Sequence, residues 1–213
     1  MSRFKIKVCG MTRLKDVLLA YQLGADMFGM IFYKNSPRYI SAAKALEIVK
    51  HISPTFNRVG VFVNESPKKI LKVACQLRLD YIQLSGNEPY QHIKELHQAG
   101  FKVIKAFPVN NKEDFKNFYR SKADLILLDN SNQKHYGGTG KTFDWSFEPP
   151  RKIANLILAG GINVDNVEEG VKLFYPLVVD VNSGVEQKPG IKSTTKMKRF
   201  FKKCDEIRYG KQK

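Results

Sequence analysis

Cys9 and Asp129 are the residues of this chain whose types best suit a paired proton transfer near neutral pH. Each directly follows a strand-like run, Phe4–Val8 and Leu125–Leu128. A free thiol titrates near ~8.5, so a modest shift would make a thiolate base available. An aspartic acid in semi-buried surroundings keeps its proton and can act as the acid. Residue type alone leaves blander roles open: a small packing residue for Cys9 and a turn cap for Asp129. Two further strand ends are rich in small residues, Ala159-Gly160-Gly161-Ile162 and Asp180-Val181-Asn182-Ser183-Gly184. Backbone N–H groups can approach an anion closely there, and Gly160, Gly161, Ser183 and Gly184 together read as a phosphate cradle. Ordinary turn chemistry accounts for either pair alone. Arg38, in Ser36-Pro37-Arg38, sits in a loop that the proline stiffens, which suits a guanidinium aimed at a carboxylate. The segment from His135 to Trp145 is glycine-rich and anchored by aromatics, as a substrate-lining lid would be. Its GGTGKT run lacks the spacing of a nucleotide-binding P-loop.

These residues can share a site only if the strands they follow end on the same side of one sheet. Eight β-rich runs recur: Phe4–Val8, Met27–Phe32, Arg58–Val63, Tyr81–Leu84, Lys102–Phe107, Leu125–Leu128, Leu156–Ala159 and Leu177–Val181. Amphipathic stretches alternate with most of them: Leu14–Leu23, Ala42–His51, Pro67–Leu77, Tyr90–Ala99 and Val164–Phe174. That alternation predicts a parallel sheet, and strands apolar at consecutive positions imply cover on both faces. Gly24 and Gly100 are placed to close helices in the left-handed conformation, and Ser41 and Ser66-Pro67 to open them. After Asp129, Pro149 and Pro150 leave room for a long loop with at most a short helical turn. Eight such units predict an α/β fold, a single-domain (β/α)8 TIM barrel over residues 1–213, with site residues at the C-terminal strand ends. An open doubly wound sheet is disfavoured, because Val8-Cys9-Gly10-Met11-Thr12 stands where GxGxxG would follow the first strand.

The chain has 213 residues and 43% apolar content, enough for one sizeable core. No apolar run is long enough to span a membrane, and the first residues do not read as a secretory signal. Three cysteines without a CxxC indicate neither a disulfide framework nor a zinc site, so a cytoplasmic setting is expected. The net charge of +16 raises the question of nucleic acid. Much of the excess lies in the tail, where Lys188, Lys192, Lys196, Lys198, Arg199, Lys202, Lys203 and Arg208 interleave with Ile191, Met197, Phe200, Phe201 and Ile207. This reads as the wet face of a terminal amphipathic helix that also attracts small anionic substrates, with no dedicated nucleic-acid surface. Monomer and homodimer fit equally well.

The order Lys7-Val8-Cys9-Gly10-Met11-Thr12, Ser36-Pro37-Arg38, Gly60–Asn64, Gly137-Gly138-Thr139-Gly140 with Phe143-Asp144-Trp145, Leu158–Ile162 and Asp180–Glu186 resembles the phosphoribosylanthranilate isomerase family over nearly the whole chain. The resemblance implies an Amadori rearrangement of N-(5-phosphoribosyl)anthranilate in tryptophan biosynthesis, without metal or organic cofactor. It implies that Asp129 protonates the ring oxygen and that Cys9 removes the C2′ proton. It places Arg38 at the anthranilate carboxylate, Gly138 and Asp180 near substrate, and the phosphate at Gly160, Gly161, Ser183 and Gly184. Two positions depart from the family pattern: Ser85 replaces a histidine and Asn182 a serine. Indole-glycerol-phosphate synthase is the neighbouring alternative, kept open by a lysine at a strand end, Lys105. A non-catalytic RNA-binding barrel is the alternative from another class, marked by binding that falls steeply with salt and survives loss of Cys9 and Asp129.

Overall fold

The computed structural model describes residues 4–109, 114, 118, 121–129 and 153–210. Eight parallel strands close into one barrel in chain order: β1 Lys5–Val8, β2 Met27–Ile31, β3 Asn57–Phe62, β4 Tyr81–Leu84, β5 Lys102–Pro108, β6 Leu125–Asp129, β7 Leu156–Leu158 and β8 Val178–Val181. Closure pairs β8 with β1, and in that register Lys7 lies beside Asp180 and Val8 beside Val181. Every strand predicted from the sequence is present, with no end displaced by more than one residue. The long loop expected after Asp129, including Gly138, lies outside the described residues.

Helices α1 Leu14–Gln22, α2 Ala42–Val49, α3 Pro67–Leu77, α4 Tyr90–Gln98 and α5 Val167–Phe174 follow their strands. Ser41 caps α2, its hydroxyl accepting from Lys44 N at 3.3 Å. Ser66 precedes α3 in extended conformation but its side chain makes no cap; Pro67 opens that helix by supplying a preset φ. Gly24 and Gly100 adopt φ of +87° and +85°, as expected after α1 and α4. Helix α5 starts at Val167 rather than Val164, because Asn166 Oδ1 accepts from Asn163 N and holds the intervening residues in a turn.

The tail requires a correction. Lys188, Ile191 and Lys192 are not on the terminal helix but in a small antiparallel hairpin, β9 Glu186–Lys188 and β10 Ile191–Lys192. Pro189 cannot donate a backbone hydrogen bond and Gly190 turns at a φ of +76°, so the chain reverses here instead of coiling. Lys192 is consequently buried, not wet. Helix α6, Thr194–Tyr209, begins after it, capped by Ser193. Met197, Phe200, Phe201, Cys204 and Ile207 form its buried face, while Lys196, Lys198, Arg199 and Lys202 stay exposed, as the amphipathic pattern requires. Burying each of its large apolar side chains contributes about 1.5–3 kcal/mol. None of the described helices is long and apolar enough to cross a membrane.

Successive side chains of a strand point to opposite faces. One set packs under the helices; the other fills the barrel, where Met27, Val59, Ile104, Leu125, Leu127, Ile157 and Val178 form the interior cluster. The same alternation sends Cys9, Val61, Gln83, Ala106, Asp129, Ala159 and Asp180 inward at the C-terminal ends.

Candidate active site

The inward side chains at the C-terminal strand ends line one cleft of about 870 Å³, open to solvent. Of the residues singled out from the sequence, Cys9, Arg38, Asp129, Gly160, Gly161, Asp180 and Ser183 line it. Gly184 does not. It lies under the β8 loop, where a Cβ would come 2.1 Å from the Ile162 carbonyl oxygen, so only glycine lets the β7 and β8 loops approach this closely. Cys9 and Asp129 come from β1 and β6, so the cleft lies between them.

Cys9 is buried, and its thiol and the Lys7 ammonium border the same spot beside Gly29, near enough for the charge of Lys7 to act on the thiol. Burial pushes the thiol up from its ordinary value, and Lys7 and Lys192 only partly offset this. The expected easy thiolate is therefore corrected: at neutral pH Cys9 rests mainly as the thiol. Lys7 itself is fully buried and donates to Asp180 Oδ2 at 2.6 Å. Burial alone would lower it, but Asp180 and Cys9 outweigh this and hold the ammonium above the usual lysine range. The second oxygen of Asp180, Oδ1, is buried without a hydrogen-bond partner among the described residues.

Arg38 is buried at the rim, its turn fixed by Ser36 Oγ accepting from Arg38 N at 3.1 Å. The carboxylate it meets is one that sequence reasoning passed over: Glu186 accepts from Arg38 Nε at 3.0 Å and from Nη2 at 2.8 Å. Glu186 also receives Lys192 Nζ at 3.0 Å and the Gly190 N–H at 3.1 Å. Burial works to raise Glu186, but the hydrogen bond from Arg38 and the charge of Lys192 prevail and lower it. Two cations against one carboxylate leave this buried cluster with an excess positive charge. Arg38 Nη1 has no partner among the described residues and remains able to donate.

After β7, Gly160 and Gly161 take φ of +76° and +72°, a left-handed pair that residues with a Cβ rarely adopt. Asn163 and Asn166 side chains both donate to the Gly161 carbonyl, at 3.2 and 3.0 Å, which fixes the loop. Ser183 opens a short 3-10 turn, Ser183–Val185, beside it. The two departures from the family pattern have local partners: Ser85 Oγ accepts from Gln83 Nε2 at 3.0 Å, and Asn182 Oδ1 accepts from Lys192 Nζ at 2.9 Å. Lys105, the residue that kept a catalytic-lysine reading open, is consumed elsewhere. Its Nζ donates to Gly86 O at 2.6 Å and Glu88 Oε2 at 2.9 Å, pinning the loop before α4.

Lys7, Glu186 and Lys192 were missed as site residues. The signal for Lys7 was present: a lysine in the middle of a strand covered on both faces needs a buried counter-charge, and Asp180 is an aspartate in the middle of β8.

Residues 6–203 match the family model described as N-(5'phosphoribosyl)anthranilate (PRA) isomerase. The chain is 42% identical over 200 residues to the N-(5'-phosphoribosyl)anthranilate isomerase of Thermotoga petrophila, covering 93% of this chain and 97% of that one. The phosphoribosyl anthranilate isomerase structure from Thermotoga maritima superposes with a TM-score of 0.85 at 39% identity, covering 95% of this chain and 99% of that one. A phosphoribosyl anthranilate isomerase solved in complex with reduced 1-(o-carboxyphenylamino)-1-deoxyribulose 5-phosphate superposes with a TM-score of 0.82 at 38% identity, covering 95% and 99%.

Proposed function

The chain belongs to the N-(5'-phosphoribosyl)anthranilate isomerase family, and we propose that within its cleft Asp129 is the general acid and Cys9 the general base. The enzyme isomerises phosphoribosylanthranilate in tryptophan biosynthesis. The observation that carries the role assignment is the placement of a thiol just after β1 and a carboxyl at the end of β6 within one cleft. Asp129 gives its proton to the furanose ring oxygen as the C1′–O bond breaks, and the anilino nitrogen's lone pair forms the Schiff base. Cys9, as thiolate, then takes the C2′ proton, and the electron pair of that C–H bond becomes the enolamine double bond. Tautomerisation yields the ketose. Comparing turnover of Cys9 and Asp129 variants at equal folded concentration tests the assignment, and their expected losses open the Discussion.

Arg38 is assigned to the anthranilate carboxylate through Nη1, because Glu186 occupies Nε and Nη2 and so presents the remaining edge of the guanidinium. Arg38→Ala is expected to lose about 2–3 kcal/mol of binding, as for a charged hydrogen bond. That corresponds to a Michaelis constant raised roughly 30- to 150-fold, with kcat within a few-fold. An unchanged Michaelis constant removes Arg38 from substrate binding.

The phosphate is assigned to the backbone N–H groups of Gly160, Gly161, Ser183 and Gly184, supported by the left-handed glycine pair and the close packing of the two loops. Inorganic phosphate should then raise the melting temperature with the logarithm of its concentration once that exceeds the dissociation constant. At about 100 times its dissociation constant the gain is about 2.7 kcal/mol, a shift of several degrees for a chain of this size. A melting temperature that stays flat as phosphate is raised, at constant ionic strength, counts against the cradle.

A further inference from the structure

We infer that Lys7 is a positioning residue for the base: its buried ammonium, anchored by Asp180, stabilises the Cys9 thiolate that the reaction requires. The inference rests on Cys9 being the base, as proposed above. Lys7 lies on β1 and Cys9 directly follows that strand, two residues on, so both point into the barrel, with Lys7 one layer below the cleft floor. The ammonium is fully buried, bonded to Asp180 Oδ2 at 2.6 Å, and close enough to the thiol for the two groups to act on each other electrostatically. Neighbouring β2 makes the contact possible. A Cβ at Gly29 would stand 2.8 Å from Cys9 Sγ and 3.3 Å from Lys7 Nζ, so glycine clears the one spot that both groups border.

A buried ion pair seldom adds net stability over apolar residues of similar volume, so packing alone is a weak reason for charges beneath the cleft. Their field on Cys9 is a stronger one. The charged groups facing the thiol are Lys7 from β1, Asp180 from β8 and Lys192 from β10. Lys192 already serves Glu186 and Asn182, and Asp180 opposes ionisation of the thiol, which leaves Lys7 as the main group favouring the thiolate. In the working cycle the S–H proton leaves to solvent in the open cleft, the thiolate remains against the Lys7 ammonium, and it later accepts the C2′ proton. The substrate proton is thereby transferred to sulfur without Lys7 losing its own.

The test uses Lys7→Met and, because a lone Asp180 would be left buried and unpaired, the charge-neutral double variant Lys7→Met/Asp180→Asn. Alkylation of Cys9 by iodoacetamide is followed against pH at the Cys9 peptide by mass spectrometry, which separates it from Cys75 and Cys204. Turnover of phosphoribosylanthranilate is measured over the same pH range. The thiol titration in Lys7→Met should move up by at least about one pH unit, so that alkylation and kcat near pH 7 fall about tenfold or more, and the double variant should move the same way by less, because it also loses the opposing charge of Asp180. Both should recover as pH rises, with the Michaelis constant changed much less than kcat. A structural role gives no such recovery. A Cys9 titration that fails to rise in folded Lys7→Met, or that falls in the double variant, overturns the inference whatever the turnover does. A raised titration with an unmoved pH–turnover profile overturns instead the assignment of Cys9 as base.

Discussion

Asp129→Asn is expected to leave a folded barrel whose turnover of phosphoribosylanthranilate is at least about a hundredfold below that of the parent chain, since general acid catalysis is typically worth roughly 10²–10⁴-fold. Asp129 ends β6, beside Pro108 of β5, with its backbone in the ladder and its side chain half-buried at the cleft. Asparagine keeps the size and planar shape but carries no acidic proton. Ring opening then depends on protonation from solvent, while the carboxylate and phosphate contacts of the substrate are untouched. The Michaelis constant should accordingly stay within a few-fold of the parent and the unfolding midpoint should barely move. Near-parental kcat in a folded Asp129→Asn would remove Asp129 from the chemistry and leave it as a strand-end cap.

Cys9→Ser should show a loss of the same order by a different route. Serine is nearly isosteric, but its hydroxyl hardly ionises at any accessible pH, so no alkoxide is available to take the C2′ proton. Burial already makes the thiolate scarce, and an oxygen in that place makes the base scarcer still. The hydroxyl can hydrogen-bond near Lys7, so the stability penalty should be of order 1 kcal/mol. A packing role for Cys9 predicts the reverse pattern: a lower unfolding midpoint with normal turnover from the folded fraction. Reading kcat and midpoint on the same samples separates the two.

The barrel was legible because parallel strands covered on both faces are short apolar runs, and because glycines after α1 and α4 mark where helices stop. Strand ends then led to Cys9, Arg38, Asp129, Gly160, Gly161 and Ser183, and the family resemblance to Asp180, all of which line the cleft. What local pattern could not supply was anything depending on closure. That Lys7 lies beside Asp180 follows only from pairing the last strand with the first, 173 residues apart in sequence. The grip of Glu186 on Arg38 likewise joins residues 148 apart. The hairpin from Glu186 to Lys192 was misread because its lysines happen to continue the charge spacing of α6; Pro189-Gly190 was the overlooked break. Burial also reversed one chemical expectation, since a thiol enclosed at the base of the cleft moves away from ionisation even with an ammonium against it.

Cys9 and Asp129 acting as one acid–base unit across the cleft is the central claim, and single-turnover mixing tests it most directly. Excess enzyme is mixed with freshly made phosphoribosylanthranilate and the decay of substrate fluorescence is followed for the parent chain and for folded Cys9→Ser/Asp129→Asn. Groups that act as a unit are strongly non-additive, so the double variant should lose about as much as the worse of the two single variants, at least about a hundredfold. A double variant that consumes substrate at the parental rate would contradict the account.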